Sequence, residues 1–311
     1  MRAWPQAPRP WADLSTGINP WPYPAPRASA AARGRLPDPE RIAALEAVAA
    51  RAFGVADPAR VLATAGAEAG LRLLPRVLAG ETVWIKSPTY ASHALAWTEA
   101  GRRLTPTPDD AGIQVVVNPN NPDGALETVE ALAARADAVA ARGGWLVVDE
   151  SFIETVWAGS VAPLAHPQIV VLRSFGKFYG LAGLRLGFLV GDPDLIRRLR
   201  ALQGDWPVSA DAIAAGLAAY ADHGWAEQAR CRLARHADQL DEVLTRGGLE
   251  VIGGTSLFRL AGAADAERRF EALCAAGILT RPFADQPHWL RFGLPSATVL
   301  RRLDQALGSH G

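Results

Sequence analysis

The sequence predicts an α/β protein: a large domain built on a mostly parallel central sheet, joined to a smaller α+β domain. Three observations predict it. Short apolar runs recur from about residue 61 to residue 190, separated by helical stretches, which is how parallel strands buried on both faces read. After Trp206-Pro207 the pattern changes to a long Ala-rich helical region followed by short strands. The chain has 311 residues, 49% hydrophobic and 21% charged, a balance that fills a substantial core and a length that suits two domains.

The elements follow in order. Residues 1–39 are Pro-rich and weakly periodic, so they read as an extended arm with turns, counted with the small domain. Pro39–Phe53 carries apolar residues at helical spacing. Within the large domain, residues 40–205, the strand candidates are Val61–Ala63, Thr82–Ile85, Ile113–Val117, Trp145–Val148, Ile169–Leu172 and Leu186–Val190. Residues 206–311 are expected to form a long helical region, from about Ala210 to Gly247, and a small C-terminal domain. That domain is expected to hold strands at Glu250–Ile252, Ser256–Leu260 and Trp289–Phe292 and a helix near Ala264–Ala276.

Composition narrows the function. Basic and acidic residues number 32 each, so the basic excess of a nucleic-acid binder is missing. Apolar runs such as Trp145–Val148 stop far short of the roughly 20 residues that span a bilayer. The opening stretch, MRAWPQAPRPWADL, has no apolar core of a secretion signal, and a cytoplasmic setting is expected. Cys231 and Cys274 lie in stretches that read as helices, and both read as reduced packing residues; no metal site is expected. Of the 32 basic residues only Lys86 and Lys177 are lysines. A lysine that persists among so many arginines is a good candidate for amine chemistry, which a guanidinium cannot perform.

Four stretches carry chemistry. Arg173–Phe188, RSFGKFYGLAGLRLGF, sets Ser174 before Lys177 and Arg185 after it, with glycines that let the backbone turn tightly. It offers an amine for an imine, and a hydroxyl and a guanidinium for a phosphate dianion; the plain alternative is a Gly-rich loop with a surface lysine. Asn118–Gly124, NPNNPDG, follows the strand Ile113–Val117 at the carboxyl end where ligands sit in open α/β sheets, although such clusters also make ordinary turns. Asp149 ends a strand expected to be buried and needs a partner, because a buried unpaired carboxylate is costly; helix capping is the alternative. Ala65–Glu68 opens a helix running to about Leu78, and the amides of Gly66, Ala67 and Glu68 could hold a phosphate at its start.

Taken in this order, with Tyr90 of KSPTYASH between them, the stretches resemble the signature of the fold-type-I pyridoxal-phosphate (PLP) enzymes, the aspartate-aminotransferase-like fold. The resemblance implies that Lys177 bonds the cofactor covalently and that Asp149 pairs with its ring nitrogen. It also implies that Asn121 hydrogen-bonds the phenolic oxygen, that Tyr90 stacks on the ring, and that Gly66, Ala67, Glu68, Ser174 and Arg185 hold the phosphate. Gly176 stands where a second Ser is common, and Lys86 reads as a surface or structural lysine.

Within these enzymes the chain is similar to the histidinol-phosphate-aminotransferase branch, and there to the threonine-phosphate decarboxylases of cobalamin biosynthesis. The stretches that carry this are Leu14–Pro24, the Lys177 string, Gly253–Leu260 and Pro287–Pro295. Phe152 stands where many relatives have a Tyr that reaches the phenolic oxygen, as in the decarboxylase group; Leu36 stands where a Tyr often reaches the partner subunit's cofactor phosphate. The resemblance implies decarboxylation of L-threonine O-3-phosphate, a small phosphorylated amino acid, by a homodimer. Arg291 would bind the substrate carboxylate, Arg281 is a candidate for its phosphate against the alternative of a surface arginine, and Gly17 and Asn19 of the arm are candidates for closing over it. An aminotransferase of the histidinol-phosphate type is the alternative, and a non-catalytic regulator or scaffold of PLP fold a more distant one.

Overall fold

The computed structural model describes residues 3–156 and 159–308. Its contacts divide the chain into a larger unit, residues 23–121 and 126–225, and a smaller one, residues 1–22, 122–125 and 226–311. The sequence expectation set the breaks at 39/40 and 205/206, so the boundaries move. Residues 23–39 go with the larger unit because Tyr23 N donates to Tyr179 O at 2.9 Å and Ala28 N to the Asp211 carboxylate at 2.8 Å. Residues 206–225 go with it because they supply a helix to its core.

The arm holds strand β1 (Ala12–Asp13) and the short helix α1 (Ala30–Arg33). Helix α2 (Pro39–Ala52) starts where Asp38 accepts the Glu40 amide and Pro39 supplies a ready-set φ, and it buries Ile42, Leu45, Ala49 and Ala50. The seven strands of the larger unit are β2 (Val61–Thr64), β3 (Thr82–Ile85), β4 (Arg103–Leu104), β5 (Ile113–Val117), β6 (Trp145–Asp149), β7 (Ile169–Ser174) and β8 (Gly187–Val190). They form one sheet in the order β2-β8-β7-β6-β5-β3-β4. All neighbours are parallel except the two pairs made by β8, which runs antiparallel to β2 and β7. All five residues of β5 and all six of β7 are buried, the two-sided burial that continuous apolar runs predict.

Helices interleave with these strands: α3 (Ala67–Leu73), α4 (Ser92–Glu99), α5 (Val129–Ala140), α6 (Phe175–Phe178), α7 (Pro193–Gln203) and α8 (Ala210–Ala221). Leu62, Val83, Ile113, Val115, Val147, Val170, Leu172 and Leu189 of the strands form one core with Leu71 of α3, Trp97 of α4 and Leu195, Ile196 and Leu199 of α7. Helix α8 crosses α2 closely: a Cβ on Gly216 would lie 2.6 Å from Leu45 Cδ1. The expected helix from Ala65 to about Leu78 is shorter than its pattern. Pro75 has no amide to donate, and the α-helix gives way to a 3-10 turn at Leu74–Arg76.

The smaller unit takes most of α9 (His223–Arg246), then β9 (Glu250–Thr255), β10 (Phe258–Gly262), α10 (Ala266–Ala275), β11 (Ile278–Leu279), β12 (Arg281–Pro282), β13 (Trp289–Gly293) and α11 (Ala297–Gly308). Its sheet is antiparallel in the order β12-β13-β10-β9, and β1 of the arm pairs in parallel with β11. Cys274 is buried in α10, whereas Cys231 is exposed on α9, which corrects the packing role expected for Cys231: it falls on the solvent face of that helix. Among the described residues no helix is long and apolar enough to cross a membrane.

Candidate active site

Strand register gathers the predicted residues of the larger unit at one end of its sheet. Val117 pairs with Asp149 and Asp149 with Leu172, while Ser174 pairs with Gly187 and Gly187 with Thr64. The ends of β2, β5, β6 and β7 and the start of β8 therefore share one edge, the edge at which open α/β sheets bind ligands.

Asp149 is buried at that edge. Its Oδ2 meets His93 Nε2 at 3.0 Å and its Oδ1 accepts the Ser151 amide at 2.9 Å. Burial pushes the carboxyl upward, but the His93 hydrogen bond and charge, the Lys177 charge and the Ser151 contact outweigh it and bring it to about 2. The acid is therefore ionised at neutral pH, and each oxygen keeps a lone pair for a further donor such as a protonated ring nitrogen. Lys177, at the third position of the single-turn helix α6, is half-buried, with Nζ 4.9 Å from the centroid of the buried Phe152 ring. Where a Tyr would present a hydroxyl, this chain presents carbon. The other lysine is committed elsewhere: Lys86 Nζ donates to Glu127 at 2.7 Å.

The residues expected to hold the phosphate form a cradle that only small groups allow. Gly66, at φ +87°, is the N-cap of α3, and a Cβ there would lie 2.6 Å from Arg185 Nη2. Arg185 itself is left-handed, at φ 53°, which bends its guanidinium back over the start of α3. The guanidinium donates to Ala182 O at 3.3 Å and has no acidic partner among the described residues. A Cβ on Gly187 would collide with the Ala67 amide nitrogen. A guanidinium, the amides of Ala67 and Glu68, and the Ser174 hydroxyl at the same edge are the donor set a phosphate dianion needs, and they fit the phosphate of PLP. The Gly66 amide, expected among them, is turned away instead and donates to Thr64 O at 2.7 Å.

Asn118 opens the turn after β5 and pins it: its Nδ2 donates to Glu127 O at 3.1 Å and its Oδ1 accepts the Glu127 amide at 2.7 Å. Asn121 follows three residues on, half-buried. Tyr90 lies between β3 and α4, 43% exposed, with its hydroxyl 3.4 Å from Glu68 Oε2 and its ring edge-on to His93. A face that open can receive a planar ring.

The four predicted substrate residues belong to the smaller unit. Arg291 is buried in β13, donates to Ser15 O at 2.5 Å, and is paired in register with Arg281 of β12, which is exposed. Burial lowers Arg291, and the Arg281 charge lowers it further, to about 10. Gly17 is buried two residues after Ser15, and Asn19 is buried with its Oδ1 accepting the Trp21 amide at 2.9 Å. Asn19 thus shapes the arm's own turn.

One residue at this site escaped the sequence reading. His93, fully buried in the first turn of α4, is a side-chain hydrogen-bond partner of Asp149. Its signal was its place three residues after Tyr90, one helical turn away from a residue already singled out.

A buried ionised acid, a lysine sharing its field, a donor-lined cradle at the strand ends and this doubly wound sheet define a fold-type-I PLP enzyme. The chain belongs to the aminotransferase class I and II family, whose model matches residues 22–308. It is 40% identical over 308 residues to a threonine-phosphate decarboxylase of Pseudomonas aeruginosa, covering 96% of this chain and 91% of that one. It is 40% identical over 314 residues to the enzyme of the same name from a Sinorhizobium species, covering 96% and 92%. In fold it matches the histidinol-phosphate aminotransferase of Sinorhizobium meliloti in complex with pyridoxal-5'-phosphate, with a TM-score of 0.85, 22% identity, and 96% and 91% of the two chains covered.

Proposed function

We propose that this chain decarboxylates L-threonine O-3-phosphate to (R)-1-amino-2-propanol O-2-phosphate and CO2, in cobalamin biosynthesis, using the residues assigned above. The observation that carries the reading is the register pair Arg281–Arg291. Like charges directly opposite on a sheet repel, and burial already opposes the Arg291 charge. A substrate bearing two anions, a carboxylate for Arg291 and a phosphate for Arg281, relieves both. Two threonine-phosphate decarboxylases at 40% identity over nearly the whole chain support the same substrate.

Bound PLP supplies the electron sink that takes up the pair left when a bond to Cα breaks. The protein's part is to choose that bond and control the proton. Arg291 holds the carboxylate and so fixes the direction of the Cα–carboxyl bond. Asp149, ionised and buried, keeps a proton on the ring nitrogen. Lys177 Nζ delivers the proton that Cα gains when CO2 departs. Phe152, beside that amine, offers no competing hydroxyl. The reading includes a homodimer and a cytoplasmic setting; Leu36 and Trp206, apolar and 65% and 50% exposed, suit burial in such a dimer.

The test is product analysis on purified, PLP-loaded protein. The expected result is CO2 release from threonine phosphate without 2-oxoglutarate, with borohydride fixing the cofactor to Lys177. Dependence on 2-oxoglutarate with glutamate formed would make it an aminotransferase. A PLP absorbance band with no turnover would make it a binding protein, and a label on Lys86 would overturn the Lys177 assignment.

A further inference from the structure

The turn that carries Asn121 and the segment that carries Tyr90 meet at one side chain. Asn120 is buried, 5% exposed; its Oδ1 accepts the Thr89 hydroxyl at 2.7 Å, and its Nδ2 donates to Pro88 O at 3.0 Å. Both bonds lie next to residues assigned to the ring, since Thr89 precedes Tyr90 and Asn120 precedes Asn121. The chemistry demands an amide here. Asp could accept from Thr89 but not donate to Pro88, and an apolar residue could do neither. The Pro88 carbonyl also fixes which way the amide points, because the reversed amide would set two acceptors face to face.

The ends of both segments are anchored independently. Lys86 N donates to Val115 O at 3.0 Å, Asn118 N donates to Asp149 O at 2.8 Å, and the Asn118 side chain grips Glu127. The Asn120 bonds join the stretches between these anchors.

We propose that Asn120, acting with Thr89, is a positioning residue for the cofactor, coupling the contact of Asn121 at the ring's edge to that of Tyr90 on its face. The proposal rests on the roles assigned above to Asn121 and Tyr90. A brace that only held the fold would change thermal stability and leave the bound cofactor's spectrum alone.

The experiment uses the PLP-loaded full chain and reads two quantities: the dissociation constant for PLP and the pH midpoint of its visible absorbance band. Asn120→Ala and Thr89→Val are each expected to raise the dissociation constant about three- to tenfold, the range that one net hydrogen bond allows. Each is also expected to move the midpoint in the direction that Asn121→Ala moves it. Because they break a shared bond, the double variant should fall short of the sum, and Thr89→Ser, which keeps the hydroxyl, should restore both values. Unchanged spectrum and affinity in Asn120→Ala and Thr89→Val, with Asn121→Ala shifted, would overturn the coupling alone. An unmoved band in Asn121→Ala itself would overturn the Asn121 assignment, and this proposal with it.

Discussion

Asp149 shows how a single residue is made to serve. Burial alone would favour its neutral form, yet His93, Lys177 and the Ser151 amide keep it charged. The depression from 3.8 to about 2 is a stability statement. Its contribution, on the order of 2 kcal/mol, is fully present above pH 4 or so and is lost as pH falls through about 2. Asp149→Asn is expected to flatten that part of the acid-unfolding curve while still binding PLP. Losing one partner of a buried charged pair costs about 3–5 kcal/mol, which in a transition state is roughly two to four powers of ten in kcat. A variant turning over at nearly the wild-type rate would remove Asp149 from the ring nitrogen. The acid and the lysine were legible because each sits in a short string with distinctive neighbours. His93 was not: a histidine on a helix reads like any core histidine, and its partner is 56 residues away.

At the scale of elements, the cradle proposed for the phosphate depends on how closely β8 approaches α3. The antiparallel run of β8 places Gly187 at the end of β2, against the Ala67 amide. Gly187→Ala would force the two apart; such overpacking costs about 1–3 kcal/mol, and the cost should fall on the phosphate. The variant is expected to lose affinity for pyridoxal phosphate while binding unphosphorylated pyridoxal about as well as wild type does, measured by equilibrium titration. Equal losses for both ligands would mean that the glycine serves the fold generally. The apolar runs located six of the seven strands of this sheet, because two-sided burial demands continuous hydrophobicity. They could not give the direction of β8, since an apolar run reads the same both ways. The two-residue strands β1, β4, β11 and β12 are too short for any periodicity. The arm's place beside β11 was equally hidden, being held by backbone bonds such as Leu14 N to Leu279 O.

Across the whole molecule, the chain does not visit its two units in one pass each. It leaves the larger unit after Asn121, gives Pro122–Ala125 to the smaller one, and returns at Leu126. No compositional shift marks that excursion, which is why sequence breaks at 39/40 and 205/206 missed it. The residues assigned to the cofactor lie in the larger unit and the two arginines in the smaller, so substrate choice can be tested apart from cofactor binding. Arg291→Lys replaces a fixed two-pronged donor with a mobile point charge. The burial that lowers Arg291 would also draw down a lysine, whose ordinary pKa is only about 10.4. It should therefore weaken threonine phosphate and threonine alike. Arg281→Ala removes only the exposed guanidinium, and a hydrogen bond to a charged group is worth about 1.5–3 kcal/mol. At this exposed position the lower end applies, so kcat/KM for threonine phosphate should fall about tenfold while that for threonine holds. The measurement is the ratio of the two specificity constants in each variant. Equal loss of both in Arg281→Ala would show that Arg281 does not read the phosphate. A wild-type enzyme with no preference for the phosphorylated amino acid would end the threonine-phosphate reading itself.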